Sequence, residues 1–459
     1  MARLVALGDS LTQGFRSLAI TDTTLSAPSL IAEAMGLSPH DFRSPDFRGQ
    51  GGLPLNVERV VRELETRCGG SIGFLEWAQA SLFLAELVDD VEDFWERGDG
   101  SKPVEDELYH NLAVWGFEVG DAYNLTAELA KREMGSPKDN LLRGPSHSRL
   151  RTAYRVLNPS GSPARERDTQ VAIAKRIQER DGGIDHLIVA FGANNCLGTV
   201  VDLEVRETGP NPPGPCSDRT LWTPDAFHQE YRGLERRVAE IQAEQVYVAT
   251  VPHITIPPIT RGIMEDRGEL PEGRKYFDYY TRFLVKDGDF DPDFHSSLTG
   301  AEAEKIDRYI DAYNQIIRET AERNGWHVVD LCSALDRLAV RRNHGRPTFP
   351  LPEPIADLSI LFFEIEPDGG IRQGGLISLD GIHPTVTGYG IIAQEFINVM
   401  REFEPGLSDI DFQELRKRDK LVSSPPKTLD DAYGLLRLLD SKLNVLGLLR
   451  KVRGSLGPT

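Results

Sequence analysis

The sequence predicts an α/β fold in which a parallel sheet carries helices on both faces. Short apolar runs rich in β-branched residues alternate along the chain with segments of helical periodicity. This alternation favours parallel strands, because each strand returns to the sheet through a crossover. The apolar runs lie at 3–7, 110–115, 186–191, 245–251 and 326–331, and the helical patterns near 26–36, 121–134, 168–181, 224–243 and 302–324.

The first apolar run leads into a segment that is typical of a nucleophile. Residues 3–14 read RLVALGDSLTQG, so Ser10 follows the strand directly, in a turn opened by a glycine. A hydroxyl at this place can point out of the sheet edge, where an activated nucleophile is needed. The alternative is a plain turn in which Asp9 and Ser10 bond only the local backbone.

Three further segments follow in the order that such a serine requires. The second apolar run leads to Gly116, and a glycine lets a backbone N–H approach a ligand closely. The third run leads to Asn194, which offers a side-chain amide donor. Asp380 and His383 stand three residues apart, ahead of a helical pattern over 386–403, so one turn can carry both side chains.

These four segments resemble the blocks of the SGNH hydrolases, also called the GDSL esterase/lipase family. That family carries a Gly-Asp-Ser, a glycine, a Gly-x-Asn and an Asp-x-x-His in this order. The resemblance implies a flavodoxin-like three-layer α/β/α sandwich with a five-stranded parallel sheet and large insertions. It implies a triad of Ser10, His383 and Asp380. It also implies an oxyanion hole formed by the backbone N–H groups of Ser10 and Gly116 and the side chain of Asn194.

The resemblance also bears on the substrate. The long insertion after the first helix and the Asn-x-Ala-Val-x-Gly texture at 111–116 are most similar to the lipase and phospholipase B-like branch. This implies an acyl-lipid ester such as a lysophospholipid. Alternatives are a carbohydrate O-acetylesterase, an acyltransferase that excludes water, and, from another class, a non-catalytic binding protein of the same fold. Asn195 occupies a position where the family often has an aspartate. This difference does not change the side-chain amide donor at Asn194.

Other interpretations of these motifs fit less well. Asp225 and His228 repeat the Asp-x-x-His spacing, but they open a predicted helix, where an aspartate is common. Thr12 replaces the second glycine of a Gly-x-Ser-x-Gly elbow. The glycines at 49–52 lack the third glycine of a dinucleotide-binding loop. The acidic run at 287–293 has a proline where a calcium loop needs its sharp-turn glycine.

We predict no metal site and no cofactor from the sequence. It contains neither a His-Glu-x-x-His motif nor a paired Cys-x-x-Cys motif. The four cysteines are dispersed, and unpaired thiols are favoured over a bridge between Cys196 and Cys216 in a chain without a secretion signal. The cysteines are Cys68, Cys196, Cys216 and Cys332.

Composition restricts the partners. The 459 residues carry a formal net charge of −19, which argues against nucleic acid or an anionic membrane as the main partner. The family resemblance implies a small-molecule ester as the substrate. The sequence contains no run of 18 apolar residues, so we predict no transmembrane helix. Asp9 interrupts the apolar stretch that a signal peptide needs, so the chain is predicted to be cytoplasmic, with a removed leader left open.

We assign residues 1–404 to the hydrolase domain and residues 405–459 to a C-terminal helical extension. Insertions lengthen the first domain at about 37–108, 196–222, 253–300 and 341–378. The aromatic residues of 253–300 either wall the substrate pocket or pack a small core of the insertion itself. A short apolar heptad stripe at 432–446 predicts a helix packed on the body, with self-association or weak membrane-surface docking as alternatives.

Overall fold

The computed structural model describes residues 1–68, 76–104, 108–135, 144–213, 219–266, 270–283, 285, 287–339, 343, 347–360, 363–365 and 371–426. Its strands are β1 (Ala2–Gly8), β2 (Ala19–Ile20), β3 (Leu53–Pro54), β4 (Ile184–Ala190), β5 (Ala243–Ala249), β6 (Thr260–Ile263), β7 (Tyr279–Arg282), β8 (Ser297–Thr299), β9 (His327–Val329), β10 (Phe363–Ile365) and β11 (Ile371–Gly374). Its α-helices are α1 (Ser10–Gln13), α2 (Ala27–Ala34), α3 (Val57–Cys68), α4 (Glu76–Glu96), α5 (Asp121–Asn124), α6 (Ala127–Met134), α7 (Ser148–Leu157), α8 (Gln170–Asp181), α9 (Asn194–Asp202), α10 (Pro224–Val238), α11 (Gly300–Asn324), α12 (Leu331–Leu338), α13 (Val386–Met400), α14 (Phe412–Arg418) and α15 (Lys420–Ser423).

The central sheet is parallel, as predicted, and its strands follow the order β1-β4-β5-β9. Helical crossovers connect each strand to its neighbour in this order. The carboxyl ends of all four strands therefore lie at one edge of the sheet. The α/β class and the parallel sheet flanked by helices are confirmed. The five-stranded detail is not confirmed, because the sheet holds four strands among the described residues.

The predicted run at 110–115 lies beside β1 and pairs with it through an isolated parallel bridge between Asn111 and Ala6, and Val114 N–H donates to the Gly8 carbonyl at 3.1 Å. Leu112 N–H donates to the Ala6 carbonyl at 2.9 Å, and Ala6 N–H donates to the His110 carbonyl at 2.9 Å. The N–H groups of His110 and Asn111 both donate to the Arg43 carbonyl instead of to the sheet. Arg43 in the first long insertion thus accepts the His110 N–H, which would otherwise extend the pairing toward the start of β1, while Leu112 and Val114 still donate to β1. The apolar sequence cannot reveal this competition.

Side chains of the central strands alternate between two cores. Val5 and Leu7 pack on one face of β1, while Leu4 and Ala6 pack on the other. The same period of two continues in β4 and β5. Residues from α8, α10 and α11 cover the first face, and residues from α2 and α13 cover the second. The result is the three-layer α/β/α arrangement.

Helix boundaries follow local capping chemistry more closely than periodicity. The helical pattern over 121–134 is divided into α5 and α6 because Thr126 is extended and its side chain accepts the Leu129 N–H at 3.1 Å. The helix predicted near 302–324 begins instead at Gly300, after a capping box formed by Thr299 and Glu302.

Short strands and helices form within the predicted insertion at 253–300 and within the predicted C-terminal extension. Within 253–300, β6, β7 and β8 form an antiparallel sheet, and Tyr280 of β7 and the preceding Phe277 are buried. At the C-terminal side, α14 and α15 pack against the body, where Asp419 accepts the Thr387 N–H at 2.8 Å. The apolar stripe at 432–446 lies outside the described residues, and the division at residue 404 stays a prediction.

Cys196 and Cys332 are both buried, whereas Cys216 lies outside the described residues, so the alternative of a bridge between Cys196 and Cys216 is untested. Among the described helices, none combines the length and the apolar character that a bilayer crossing requires.

Candidate active site

Ser10 is the first residue of α1, immediately after β1 at the carboxyl edge of the sheet. Gly8 allows this sharp exit, because a Cβ at that position would lie 2.2 Å from Thr12 Oγ1 and 2.9 Å from the Ala190 carbonyl oxygen. The Asp9 side chain then caps the helix by accepting the Leu11 N–H at 3.1 Å. The turn predicted from the sequence therefore presents Ser10 at the edge where ligands bind in α/β proteins.

Asp380 and His383 lie in one tight turn that precedes α13. The His383 ring places Nδ1 3.0 Å from Asp380 Oδ2, and Asp380 Oδ1 accepts the backbone N–H groups of Ile382 and His383 at 2.9 and 2.8 Å. Leu18 N–H donates to Oδ2 at 3.1 Å. Burial alone would raise the pKa of Asp380, but His383 and these donors together lower it. The carboxylate is therefore held ionised beside the imidazole.

The same imidazole reaches Ser10 from its other side. His383 Nε2 lies 3.0 Å from Ser10 Oγ, although the two residues are 373 positions apart in the chain. All three side chains are buried, and the Phe15 ring packs on the imidazole with a centroid distance of 4.7 Å. An imidazole that donates Nδ1–H to a carboxylate keeps Nε2 available to accept a hydroxyl proton. The arrangement is thus chemically able to activate the Ser10 hydroxyl.

Gly116 lies in a turn that is braced against α1. Its φ of +75° falls in the left-handed region, which a glycine adopts without strain. The preceding Trp115 N–H donates to Gln13 Oε1 at 2.9 Å, and Arg149 donates to the Gly116 carbonyl at 3.2 Å. Arg149 is itself held by a buried ion pair with Asp121 at 3.1 Å. These contacts fix the Gly116 turn relative to the helix that carries Ser10.

Sequence reasoning missed Gln13 and Arg149, the two residues that brace this turn. Gln13 lies three positions after Ser10, so the helical spacing could have suggested that the two share one turn. Arg149 lies on α7 among other basic residues, and its sequence context does not distinguish it from solvated arginines.

Asn194 is the first residue of α9 and lies close to both preceding segments. Its Nδ2 atom donates to the Phe117 carbonyl at 2.9 Å and to Asp9 Oδ2 at 3.3 Å. The amide therefore joins the Gly116 turn to the Ser10 turn. Both of its hydrogens point at protein oxygens in this structure, and the longer bond is the one to Asp9.

Asp9 is the most perturbed carboxyl of this region. Its side chain is buried, and loss of hydration raises its pKa to about 7, against the lowering effects of Leu11 N–H, His383 and Asn194. The unfolded chain would release this proton near pH 4, as an ordinary aspartic acid does. The folded protein therefore holds more protons than the unfolded chain between about pH 4 and pH 7.

This difference predicts how Asp9→Asn alters stability with pH. Because the folded state must give up a favoured proton as the pH rises, Asp9 lowers the unfolding free energy of the wild type between about pH 4 and pH 7, and Asp9→Asn lacks this contribution. The unfolding free energy of Asp9→Asn relative to the wild type should therefore rise by on the order of 2–4 kcal/mol over this range. Urea unfolding at several pH values measures it. Asp225→Asn, at an exposed carboxyl, is the control. A stability difference that stays constant with pH would contradict the raised pKa.

An apolar cavity opens beside Ser10 and His383. It has a volume of about 110 Å³ and runs between α12, α13 and the turn after β5. Its aliphatic lining includes Leu197, Ile254, Pro257, Leu331, Ala334, Leu335, Leu338, Ile360, Leu376, Ile377, Ile391 and Ile392, and Glu395 is also at its wall. None of the aromatic residues at 276–283 is among the described residues that line it. The beginning of the 253–300 insertion therefore walls the cavity, whereas its aromatic residues pack elsewhere.

The competing Asp-x-x-His pair lies away from this arrangement. Asp225 and His228 are both exposed on the first turns of α10, where Thr223 caps the helix. Nothing in the described residues brings a serine to His228 in the way that Ser10 meets His383.

Comparison with known proteins identifies the family. The model of the GDSL-like lipase/acylhydrolase family matches residues 96–396, well over half of the chain. The chain belongs to this family. It is therefore a carboxylic ester hydrolase. The matched range of this GDSL-family hydrolase includes Gly116, Asn194, Asp380 and His383, while Ser10 precedes it.

Solved structures similar to this GDSL-family hydrolase are distant in sequence. An extracellular lipase from Streptomyces rimosus is 11% identical with a TM-score of 0.33, covering 88% of this chain and 99% of that one. An alpha/beta hydrolase from the metagenome of Lake Arreo, Spain, is 14% identical with a TM-score of 0.31, covering 87% and 94%. A putative GDSL-like lipase from Parabacteroides merdae is 12% identical with a TM-score of 0.30, also covering 87% and 94%. No curated protein matches the sequence.

Proposed function

We propose that this GDSL-family hydrolase is a serine esterase of acyl-lipid esters, with lysophospholipid-like molecules as its substrate class. The observation that carries the proposal is the hydrogen-bonded chain from Asp380 through His383 to Ser10, which opens on an apolar cavity. Family membership supports ester hydrolysis, and the position of the cavity supports an aliphatic acyl group.

The proposed reaction proceeds through an acyl-enzyme. Ser10 Oγ attacks the ester carbonyl carbon while its proton passes to His383 Nε2, and Asp380 stabilises the resulting imidazolium. The tetrahedral intermediate collapses, the C–O bond to the alcohol breaks, and His383 gives its proton to the departing oxygen. Water then attacks the acyl-serine, losing a proton to His383, and the carboxylic acid leaves as Ser10 regains that proton.

Three donors are proposed to stabilise the tetrahedral oxyanion. They are the backbone N–H groups of Ser10 and Gly116 and the Asn194 amide. Within the described part of the chain, the N–H groups of Ser10 and Gly116 have no hydrogen-bond acceptor, which leaves them available. Asn194 would contribute by turning the N–H of its longer bond, the one to Asp9, toward the oxyanion.

The aliphatic cavity supports an acyl group over a sugar. A carbohydrate pocket is expected to present aromatic faces and polar side chains, whereas this cavity is lined almost wholly by leucine, isoleucine, alanine and proline. A series of p-nitrophenyl esters from acetate to long acyl chains, followed by lysophospholipids, tests the proposal. We expect kcat/KM to rise from acetate toward medium chains. Activity confined to acetate would overturn the acyl-lipid substrate and favour the O-acetylesterase, with ester hydrolysis intact.

Filling the cavity should change the chain-length preference. Ala334 lies on α12 at the cavity wall and is buried, so Ala334→Phe would fill much of the space next to it. We expect kcat/KM for long-chain esters to fall by at least about tenfold, since each methylene excluded from an apolar pocket is worth roughly 1–3 kcal/mol, while acetate is still hydrolysed. The measurement is the same ester series.

The matched control for this variant is Ala301→Phe, which makes the same replacement at an exposed helical position of α11. A thermal melt shows whether overpacking has unfolded Ala334→Phe. An equal loss on acetate and on long chains in a folded variant would show that the cavity does not hold the acyl group.

A further inference from the structure

A second group of reactive side chains lies behind the cavity wall. His253 lies in the turn after β5, and Cys332 and Asp336 are four positions apart on α12, which places them on one face of that helix. His253 Nδ1 lies 2.8 Å from Asp336 Oδ1 and 3.6 Å from Cys332 Sγ. A nitrogen, a sulfur and an oxygen atom therefore converge on one point.

The spacing of these atoms suits a tetrahedral transition metal. All three lie within 4.8 Å of one another. Zinc binds imidazole nitrogen and carboxylate oxygen at about 2.0–2.2 Å and thiolate at about 2.3 Å, which places neighbouring ligand atoms roughly 3.3–3.8 Å apart in a tetrahedron. The sulfur–nitrogen separation matches this range, and the shorter nitrogen–oxygen contact would open by a small rotation of the Asp336 side chain.

The surroundings hold the ligands in the manner of a second coordination shell. Asp311 Oδ1 lies 3.3 Å from His253 Nε2 as an ion pair, which places a carboxylate beside the ring nitrogen that is not part of the cluster. Cys332 N–H donates to Thr250 Oγ1 at 2.9 Å, and Thr250 Oγ1 donates to Asp330 at 3.0 Å. The start of α12 is thereby tied to the end of β5.

Burial and charge also favour a cation at this place. His253 and Cys332 are buried, whereas the Asp336 side chain is 35% exposed and gives an ion a path from solvent. A thiolate and a carboxylate together compensate a divalent charge, which lowers the cost of placing the ion in a partly buried site. Solvent at Asp336 can supply a fourth ligand.

We propose that His253 Nδ1, the Cys332 thiolate and the Asp336 carboxylate form a binding site for one zinc-like divalent cation. The metal would join α12 to the turn after β5. These two segments contribute Leu331, Leu335 and Ile254 to the cavity wall. The site would be structural, holding the wall in place, and it does not depend on the identity of the ester substrate.

Metal titration of the full-length chain, freed of any affinity tag and stripped with chelator, tests the site. We expect one equivalent of Zn²⁺ to bind in competition with a chromophoric chelator and to raise the melting temperature. Co²⁺ as a probe should produce a sulfur-to-metal charge-transfer band. Cys332→Ser should abolish that band, and Asp311→Asn should weaken Zn²⁺ binding by about 10- to 100-fold, as loss of an orienting partner does.

Cys196, a second buried cysteine, provides the matched control. Cys196→Ser makes the same replacement far along the chain, on α9, and should keep both the band and the stoichiometry. Absence of the charge-transfer band in the wild type, or its survival in Cys332→Ser, would overturn the site. The contacts of His253 with Asp336 and Asp311 would then be ion pairs formed without a metal. The wild-type spectrum decides the matter even if Cys332→Ser fails to fold.

Discussion

Replacing Ser10 by alanine should reduce kcat for ester hydrolysis by about a million-fold, the scale at which loss of a triad nucleophile is measured. The reason is that no acyl-enzyme can form without Oγ, which lies 3.0 Å from His383 Nε2. Substrate binding should change little, because the cavity wall stays in place. The measurement is the p-nitrophenyl ester series at saturating substrate.

Ser17→Ala is the control for this prediction. Ser17 is also buried, its backbone N–H contacts Ser378 near the Asp380 turn, and its Oγ has no hydrogen-bond partner within the described residues. The control should keep activity within a few-fold, because removing an unbonded hydroxyl leaves the site intact. Undiminished activity in Ser10→Ala would mean that another residue is the nucleophile, and the proposed mechanism would be wrong.

Asp380→Asn should lower kcat by about ten thousand-fold while leaving the fold intact. An amide at this position cannot stabilise the imidazolium, and it can turn its NH₂ group toward Nδ1, which selects the tautomer that carries a proton on Nε2. That tautomer cannot accept the Ser10 proton. Single-turnover and steady-state rates on one ester, with KM followed separately, measure the effect.

Asp419→Asn is the matched control for Asp380→Asn. Asp419 is another buried aspartate that packs against α13, where it accepts the Thr387 N–H at 2.8 Å, and the described residues give it no contact with Ser10 or His383. It should cost stability and leave kcat nearly unchanged. If Asp380→Asn retained wild-type kcat, the carboxylate would have no part in positioning His383, and the bond at 3.0 Å would be structural only.

The fold class was open to prediction because it depends on short-range patterns. Alternation of strand and helix follows from local periodicity, and β1, β4, β5 and β9 lie where the apolar runs predicted them. The second apolar run, at 110–115, shows the limit of such patterns. Its composition suits a strand, but the Arg43 carbonyl of the first insertion accepts the N–H groups of His110 and Asn111, while Leu112 and Val114 donate to β1.

The candidate site was predictable for a related reason. Ser10, Gly116 and Asn194 each follow an apolar run, and parallel strands bring their carboxyl ends to one edge. The contacts that orient these residues were not predictable. Gln13 and Arg149 brace the Gly116 turn through side chains whose partners lie 102 and 33 positions away in the chain.

By itself, the sequence determined the α/β class and the family and predicted the residues of the candidate site, because strand ends and motif spacing are local properties. Only the tertiary structure decided the 3.0 Å approach of His383 to Ser10, the aliphatic cavity beside them, and the convergence of His253 with Cys332 and Asp336. These features depend on how separate segments pack against one another, and no local pattern specifies that packing.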